Sequence, residues 1–251
     1  MRRVAGLCSA LVLPALVAAC ASGSGQTANQ TASQAATSST QVRRVDGCVP
    51  LAGGARAVAL HPPRSKPLRG VMLGEGTTAF VFSDESDEDL CSWLPFVKTL
   101  RRHGYSALLY DYVDPSALPA DAVAGAAAAR AAGARRVILI GASVGARGSI
   151  KAASANPPGV VGVVSLSAER TVSSDPSDLV APAARMTLPA LLISARGDPF
   201  AQGATGPLLR AMPSRRKRAL MLPGVDHGTA LLTGDFGPRV QRAILAFAAS
   251  E

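Results

Sequence analysis

The chain has 251 residues, of which 48% are apolar and 17% charged, and its formal net charge is +9. The apolar content can form a real core, which excludes wholesale disorder, and the length fits one large domain or two small ones. An aromatic content of 4% argues against nucleic-acid binding by base stacking, and with three His and four Cys we expect neither metal nor cofactor.

The first 19 residues have the pattern of a targeting segment. Two arginines precede an apolar run over residues 4–19, and small residues lead into Cys20, which predicts a signal peptide over 1–19. The Val-Ala-Ala-Cys sequence at 17–20 resembles the lipobox of bacterial lipoproteins, which implies lipidation of Cys20. Ordinary secretion and an uncleaved membrane helix are the alternatives. Roughly 16 apolar residues are at the lower edge of spanning length.

The next segment is a predicted tether. Residues 21–41 are Ser, Thr, Gln, Asn, Ala and Gly with no charged and no aromatic side chain, so they cannot bury enough surface to fold. Twenty flexible residues reach about 25 Å. We expect a lipidated tether over 20–41 and a domain over 42–251, exported and held at the cell membrane by its lipid anchor, facing the periplasm or exterior.

The cysteine count fits an oxidising compartment. Cys8 leaves with the signal peptide and Cys20 carries the lipid, so Cys48 and Cys91 remain as an even pair. We predict a disulfide between them, with two separate buried thiols as the alternative.

From Val42 onward, short β-rich runs precede and then alternate with helical segments. Several runs are continuously apolar, as in strands covered on both faces. We predict strands at Ala57–Leu60, Gly70–Leu73, Thr78–Phe82, Ser106–Tyr110, Val137–Ile140, Val160–Leu166, Ala190–Ser194 and Ala219–Leu222. Helices are predicted at Leu90–Arg102, Ala120–Ala132, Ala146–Ala155, Pro207–Met212 and Pro238–Ala249. This order indicates a three-layer α/β fold whose sheet is antiparallel at its start and parallel afterwards.

A nucleophile candidate follows the fifth predicted strand. Residues 141–145 read G-x-S-x-G between a strand and a helix, the context that a nucleophile elbow requires. Such a turn exposes the hydroxyl of Ser143 and places it at a helix N-terminus, where N–H groups stabilise an oxyanion. The alternative is an ordinary glycine-rich strand–helix turn.

Dinucleotide binding is the competing interpretation of these glycines. The spacing of Gly141, Gly145 and Gly148 is near the pattern of short-chain dehydrogenases, but those enzymes need a downstream Tyr-x-x-x-Lys, and no Tyr follows Tyr112. The other glycine pair, in residues 74–76, leads into a strand and not a helix, so we interpret it as a hairpin turn.

A serine nucleophile needs a base and a group that orients the base. His227 is the sole His after Ser143 and lies in a glycine-flanked loop after the last predicted strand, whereas Asp198 directly follows the strand before it. The order Ser143, Asp198, His227 is that of α/β hydrolases. Asp226 is the competing orienter, and a residue adjacent to the His usually points elsewhere. His61 and His103 are interpreted as structural or exposed.

With these residues in place, the chain from Leu51 to Ala248 resembles the α/β-hydrolase superfamily, in its small, dienelactone-hydrolase-like branch. The Trp93 segment, His103-Gly104-Tyr105 and Tyr110-Asp111 add to the resemblance. It implies serine-type ester, thioester or amide hydrolysis of a small acyl substrate through an acyl-enzyme, with oxyanion donors on the backbone of Val144 and Glu85. We expect a monomer.

The sequence departs from the family in the loop after the third predicted strand, where residues 84, 85, 87, 88 and 89 are carboxylates instead of His-Gly. Unless they face solvent, carboxylates oppose a nearby oxyanion, which favours weak or unusual catalysis, a cationic substrate, or a binding lipoprotein on a decayed hydrolase fold. A solvated helix N-terminus is the alternative for Asp87 to Asp89.

Two further features bear on the surface of the domain. Residues 167–189 are too few for a large lid, so an open, shallow site is expected. The basic run over residues 215–218 is suited either to anionic lipid headgroups or to solvation alone. Nucleic acid is not an expected partner.

Overall fold

A computed structural model of the chain describes residues 44–45, 47–50, 54–63 and 65–251, which belong to one compact unit. The predicted signal peptide over 1–19 and the predicted lipidated tether over 20–41, with Cys20, lie outside the described residues. Within the described part, no helix has the length and apolarity needed to cross a membrane.

The strands form one large sheet and one small hairpin. The hairpin pairs β1 (Arg44–Val45) with β2 (Val49–Pro50). The large sheet contains β3 (Ala55–Leu60), β4 (Leu68–Leu73), β5 (Thr78–Ser83), β6 (Ser106–Tyr110), β7 (Arg136–Ala142), β8 (Val160–Leu166), β9 (Ala190–Ala195) and β10 (Lys217–Leu222). Its spatial order is β10-β9-β8-β7-β5-β6-β4-β3.

The sheet has the mixed direction that the sequence predicts. Strands β3, β4 and β6 pair antiparallel, and β6, β5, β7, β8, β9 and β10 pair parallel. The central strands β5 and β9 are buried along their whole length, in agreement with their continuous apolar runs.

The hairpin predicted at residues 74–76 is wrong, because β4 and β5 are not neighbours. Strand β6 lies between them and pairs with both. Gly76 instead lets this connection lie directly against the turn before β6, since a Cβ at position 76 would stand 2.1 Å from the backbone oxygen of Gly104. The connection therefore passes the end of β6 and does not reverse directly onto β4.

Helices cover both faces of the sheet and complete three layers. After a 3₁₀ turn at Leu90–Trp93, they are α1 (Leu94–Arg102), α2 (Leu118–Ala131), α3 (Val144–Ala153), α4 (Val180–Ala183), α5 (Thr205–Ala211), α6 (Ala230–Thr233) and α7 (Gly237–Ser250), with a second 3₁₀ turn at Pro115–Ala117. One core cluster joins the sheet to α2, α3, α4 and α5, and the other joins it to α1, α6 and α7.

All eight predicted strands and all five predicted helices are present, with small differences at their ends. The short elements β1, β2, α4 and α6 were not predicted, since each has at most four residues and no periodicity to detect. The connection between β8 and β9 contains only α4, so no large lid covers the sheet.

A disulfide joins Cys48, in the turn of the β1–β2 hairpin, to Cys91, in the 3₁₀ turn before α1. The two Cα atoms are 6.0 Å apart and the cysteines are 43 residues apart in the chain. Since a cross-link of this span restricts the unfolded chain, it stabilises the folded state.

Replacing both Cys48 and Cys91 with serine is expected to lower the free energy of unfolding by about 2–4 kcal/mol. Urea unfolding of the purified domain measures this difference. Wild-type protein unfolded with a thiol reductant is the matched control and should move to the same midpoint. An unchanged midpoint in both samples would contradict a stabilising role.

Candidate active site

Ser143 lies at a sharp turn between β7 and α3. Its backbone has φ 50° and ψ −117°, a conformation that residues with a side chain rarely adopt. A Cβ on Gly141 would stand 2.3 Å from the backbone of Gly145, so the two ends of the turn lie too close together for a side chain between them. The G-x-S-x-G pattern therefore forms the strained elbow that the sequence predicts.

The elbow packs directly against the loop that follows β5. A Cβ on Gly145 would stand 2.2 Å from the backbone oxygen of Ser83 and 2.4 Å from that of Asp84. This contact brings the first turn of α3, which begins at Val144, beside the segment that contains Glu85. The backbone N–H groups assigned to the oxyanion hole thus belong to two segments in direct contact.

Asp198 and His227 come together at the ends of β9 and β10. The Nδ1 atom of His227 lies 2.9 Å from each carboxylate oxygen of Asp198, and Asp198 is completely buried. The Oδ1 atom of Asp198 also accepts backbone N–H bonds from Phe200 and Ala201, at 3.0 and 3.2 Å. These bonds hold the carboxylate in place, so it can orient the imidazole.

The surroundings of His227 agree with this pairing. Its ring packs edge-on against Phe200, with the ring centroids 4.9 Å apart, and Phe200 is 64% exposed. Asp226, the competing orienter, places a carboxylate oxygen 2.4 Å from where a Cβ of Gly234 would be. It therefore faces Gly234, and His227 pairs with Asp198. His61 and His103 are both exposed, as expected.

The hydroxyl of Ser143 is bound by Glu169, a residue that the sequence analysis missed. Ser143 Oγ donates to Glu169 Oε1 at 2.8 Å. Among the described residues, no hydrogen bond joins Ser143 to His227.

Glu169 begins a loop that a buried arginine holds against α3. Arg147 is 2% exposed, and its guanidinium donates to Asp175 Oδ2 at 3.1 Å and to the backbone oxygens of Arg170, Asp175 and Ser177. Burial raises the pKa of Asp175, but hydrogen bonds from Lys151, Ser177 and Arg147 outweigh it and hold that pKa well below its usual range. Hydrogen bonds and ion pairs from Arg147 and Lys151 therefore hold the loop that begins at Glu169 against α3.

The acidic loop after β5 divides into a buried and an exposed part. Asp84 and Glu85 are 1% and 6% exposed, whereas residues 87–89 are exposed. Glu85 Oε1 accepts the backbone N–H of Thr229 at 2.9 Å and also the Thr229 hydroxyl, next to His227. Asp89 caps the 3₁₀ turn by accepting the N–H of Cys91 at 2.8 Å, as a helix N-terminus favours.

Asp84 is buried against Trp93, whose indole N–H donates to its carboxyl group at 2.5 Å. Burial raises the pKa of Asp84 well above its usual range, the Trp93 bond opposes this, and the neighbouring Asp111 carboxyl raises the pKa further. The rise in pKa favours the protonated, neutral form of this carboxyl. Asp84, one of the five carboxylates in this loop, is therefore in an environment that disfavours a negative charge.

The mixed sheet, the serine elbow after a central strand, and the Asp–His pair beyond the following strands define the α/β-hydrolase fold. No protein-family model matches the sequence, and no curated protein matches it. Solved structures do match.

An esterase of Pyrococcus furiosus superposes with a TM-score of 0.73 at 13% identity, covering 83% of this chain and 96% of the esterase. A dienelactone hydrolase of Anabaena variabilis has a TM-score of 0.65 at 18% identity, covering 77% and 95%. A monoacylglycerol lipase of Paleococcus ferrophilus has a TM-score of 0.62 at 14% identity, covering 73% and 98%. These similarities establish the fold.

Proposed function

We propose that the protein is a serine hydrolase that cleaves a carboxylic ester or a related small acyl compound. The buried Asp198 bonded to His227, at the same carboxyl-end edge of the parallel strands as a strained Ser143, is the observation that carries the proposal. Esterases and lipases with the same fold support it. A structural serine does not need a strained backbone, whereas the sharp strand-to-helix turn of a nucleophile elbow imposes one.

In the proposed mechanism, Ser143 Oγ attacks the carbonyl carbon while His227 Nε2 takes its proton. Asp198 holds the imidazole by Nδ1 and stabilises its protonated form. Backbone N–H groups of Val144 and Glu85 stabilise the oxyanion. His227 then protonates the leaving group, and a water activated by the same imidazole hydrolyses the acyl-enzyme.

A second candidate is a binding protein on a hydrolase fold without activity. The hydrogen bond from Ser143 to Glu169 favours it, because the hydroxyl donates to a carboxylate and not to the proposed base. The two candidates differ in one chemical property, since only an activated serine reacts with a fluorophosphonate.

Purified protein is expected to react with a fluorophosphonate probe, and Ser143→Ala is expected to lose the label and at least 10⁴-fold of its esterase activity. In-gel fluorescence measures the labelling, and mass spectrometry of the labelled peptide identifies the residue that reacts. Thr99→Ala, a half-buried hydroxyl position on α1, is the matched control and should label like wild type. Absence of label on folded wild-type protein would favour the binding protein.

We also propose that the domain acts at the cell envelope as a monomer, anchored through Cys20 after removal of residues 1–19. The support comes from the sequence pattern and from the disulfide between Cys48 and Cys91, which is typical of exported proteins. Incorporation of labelled palmitate, lost in Cys20→Ala, tests the anchor.

A further inference from the structure

An open cleft lies beside the proposed nucleophile. Its volume is about 690 Å³, and it extends from Val144, directly after Ser143, to the loop that begins at Glu169. Hydroxyl groups of Ser86, Thr171, Ser173 and Ser174 line it. Within the described chain, Glu169 is the one charged residue of the lining. A substrate bound to Ser143 can extend into this space.

The carboxylate of Glu169 has no cationic partner within the described residues. The nearby cations are engaged elsewhere: Arg147 and Lys151 form ion pairs with Asp175, and Arg170 forms one with Asp178. Arg147 approaches Glu169 only at its backbone oxygen, at 3.5 Å. The Glu169 carboxylate accepts a hydrogen bond from the hydroxyl of Ser143.

The loop that carries this carboxylate is held in place by the protein. Glu169 lies three residues after β8, and the residues that follow it are held by the buried Arg147. A half-buried carboxylate in a cleft of reduced dielectric interacts with a nearby charge more strongly than one in water. It therefore attracts a cation and repels an anion at one defined place, next to the attacking oxygen.

We propose that Glu169 determines specificity, and that it selects substrates with a fixed positive charge on the acyl side, close to the reactive carbonyl. This inference rests on the proposed hydrolase function and adds the substrate class. The cation of the substrate binds the Glu169 carboxylate and displaces the hydroxyl of Ser143 from it. The freed hydroxyl can then donate its hydrogen bond to His227. Binding of such a substrate and activation of the nucleophile are thereby coupled.

A pair of isosteric esters tests the proposal. The 4-nitrophenyl ester of 4-(trimethylammonio)butyric acid is cationic, and that of 5,5-dimethylhexanoic acid has the same shape without charge. Wild-type protein is expected to show a kcat/KM at least tenfold higher for the cationic ester. Glu169→Gln retains a hydrogen-bond acceptor for Ser143 but removes the charge, so the ratio is expected to fall to near one.

Glu88→Gln is the matched control, because it removes an exposed carboxylate from the acidic loop and should keep the wild-type ratio. A wild-type ratio near one, or a ratio that Glu169→Gln leaves unchanged, would overturn the proposal. Fluorophosphonate labelling separates this result from failure of the proposed function. Labelled protein without preference refutes the role of Glu169 alone, whereas unlabelled protein inactive on both esters refutes both proposals.

Discussion

Replacing Asp198 with asparagine is expected to lower kcat by about 10⁴ without unfolding the protein. The Oδ1 atom of Asp198 accepts two backbone N–H bonds, from Phe200 and Ala201, so the asparagine oxygen takes that position. The amide NH₂ group then takes the Oδ2 position, 2.9 Å from His227 Nδ1, where it replaces one of the two acceptors facing that nitrogen with a donor. This favours the imidazole tautomer with its proton on Nε2, which cannot accept a proton from Ser143, and removes the negative charge that stabilises the imidazolium.

Steady-state hydrolysis of a 4-nitrophenyl ester measures this loss, and thermal unfolding monitors the fold. Asp226→Asn is the matched control, since Asp226 adjoins His227 in sequence but faces Gly234. We expect it to stay within about twofold of wild type. A loss smaller than tenfold in Asp198→Asn, or an equal loss in both variants, would contradict the assigned roles.

Replacing Gly145 with alanine is expected to lower kcat by about 10²–10³, the effect of losing one oxyanion donor. The new Cβ would stand 2.2 Å from the Ser83 oxygen and 2.4 Å from the Asp84 oxygen, both backbone atoms at the end of β5. Because backbone cannot yield as a flexible side chain can, the loop must move and take the N–H of Glu85 with it. Overpacking is also expected to destabilise the fold by about 1–3 kcal/mol.

Gly148→Ala separates the two effects. Its Cβ would stand 2.7 Å from the Leu118 side chain, so it overpacks α3 against α2, away from the oxyanion segments. We expect comparable destabilisation by urea unfolding but near wild-type kcat for the folded protein. Full activity of Gly145→Ala would show that the elbow does not position the oxyanion loop.

The features that were predicted correctly depend on local patterns or on a general rule of sheet topology. The buried strands β5 and β8 are continuous apolar runs. A Cβ on Gly141 would meet the backbone of Gly145, so the requirement for the first glycine of the elbow arises within the motif itself. Asp198 and His227 could be paired because residues that follow parallel strands meet at one edge of the sheet.

The features that were missed depend on contacts between distant segments. Glu169 also follows the carboxyl end of a strand, and this position was the one sequence feature that could have marked it as a site residue. The path of its loop, however, depends on the buried Arg147 of another element. Likewise, Glu85 is separated from Thr229 by 144 residues, so its partner could not be read from the acidic run. The strand that separates β4 from β5 comes later in the chain, which made residues 74–76 look like a hairpin.

The disulfide also determines how a pulling force would travel through the chain. Tension applied between the segment before Cys48 and the C-terminus passes from Cys48 directly to Cys91 through the covalent bridge. Residues 49–90, which include the strands β3, β4 and β5 and the loop of Glu85, form a closed loop whose backbone cannot be extended while the disulfide is intact. A domain pulled from its N-terminal side therefore cannot unravel these three of the eight strands of its large sheet, or the loop of Glu85.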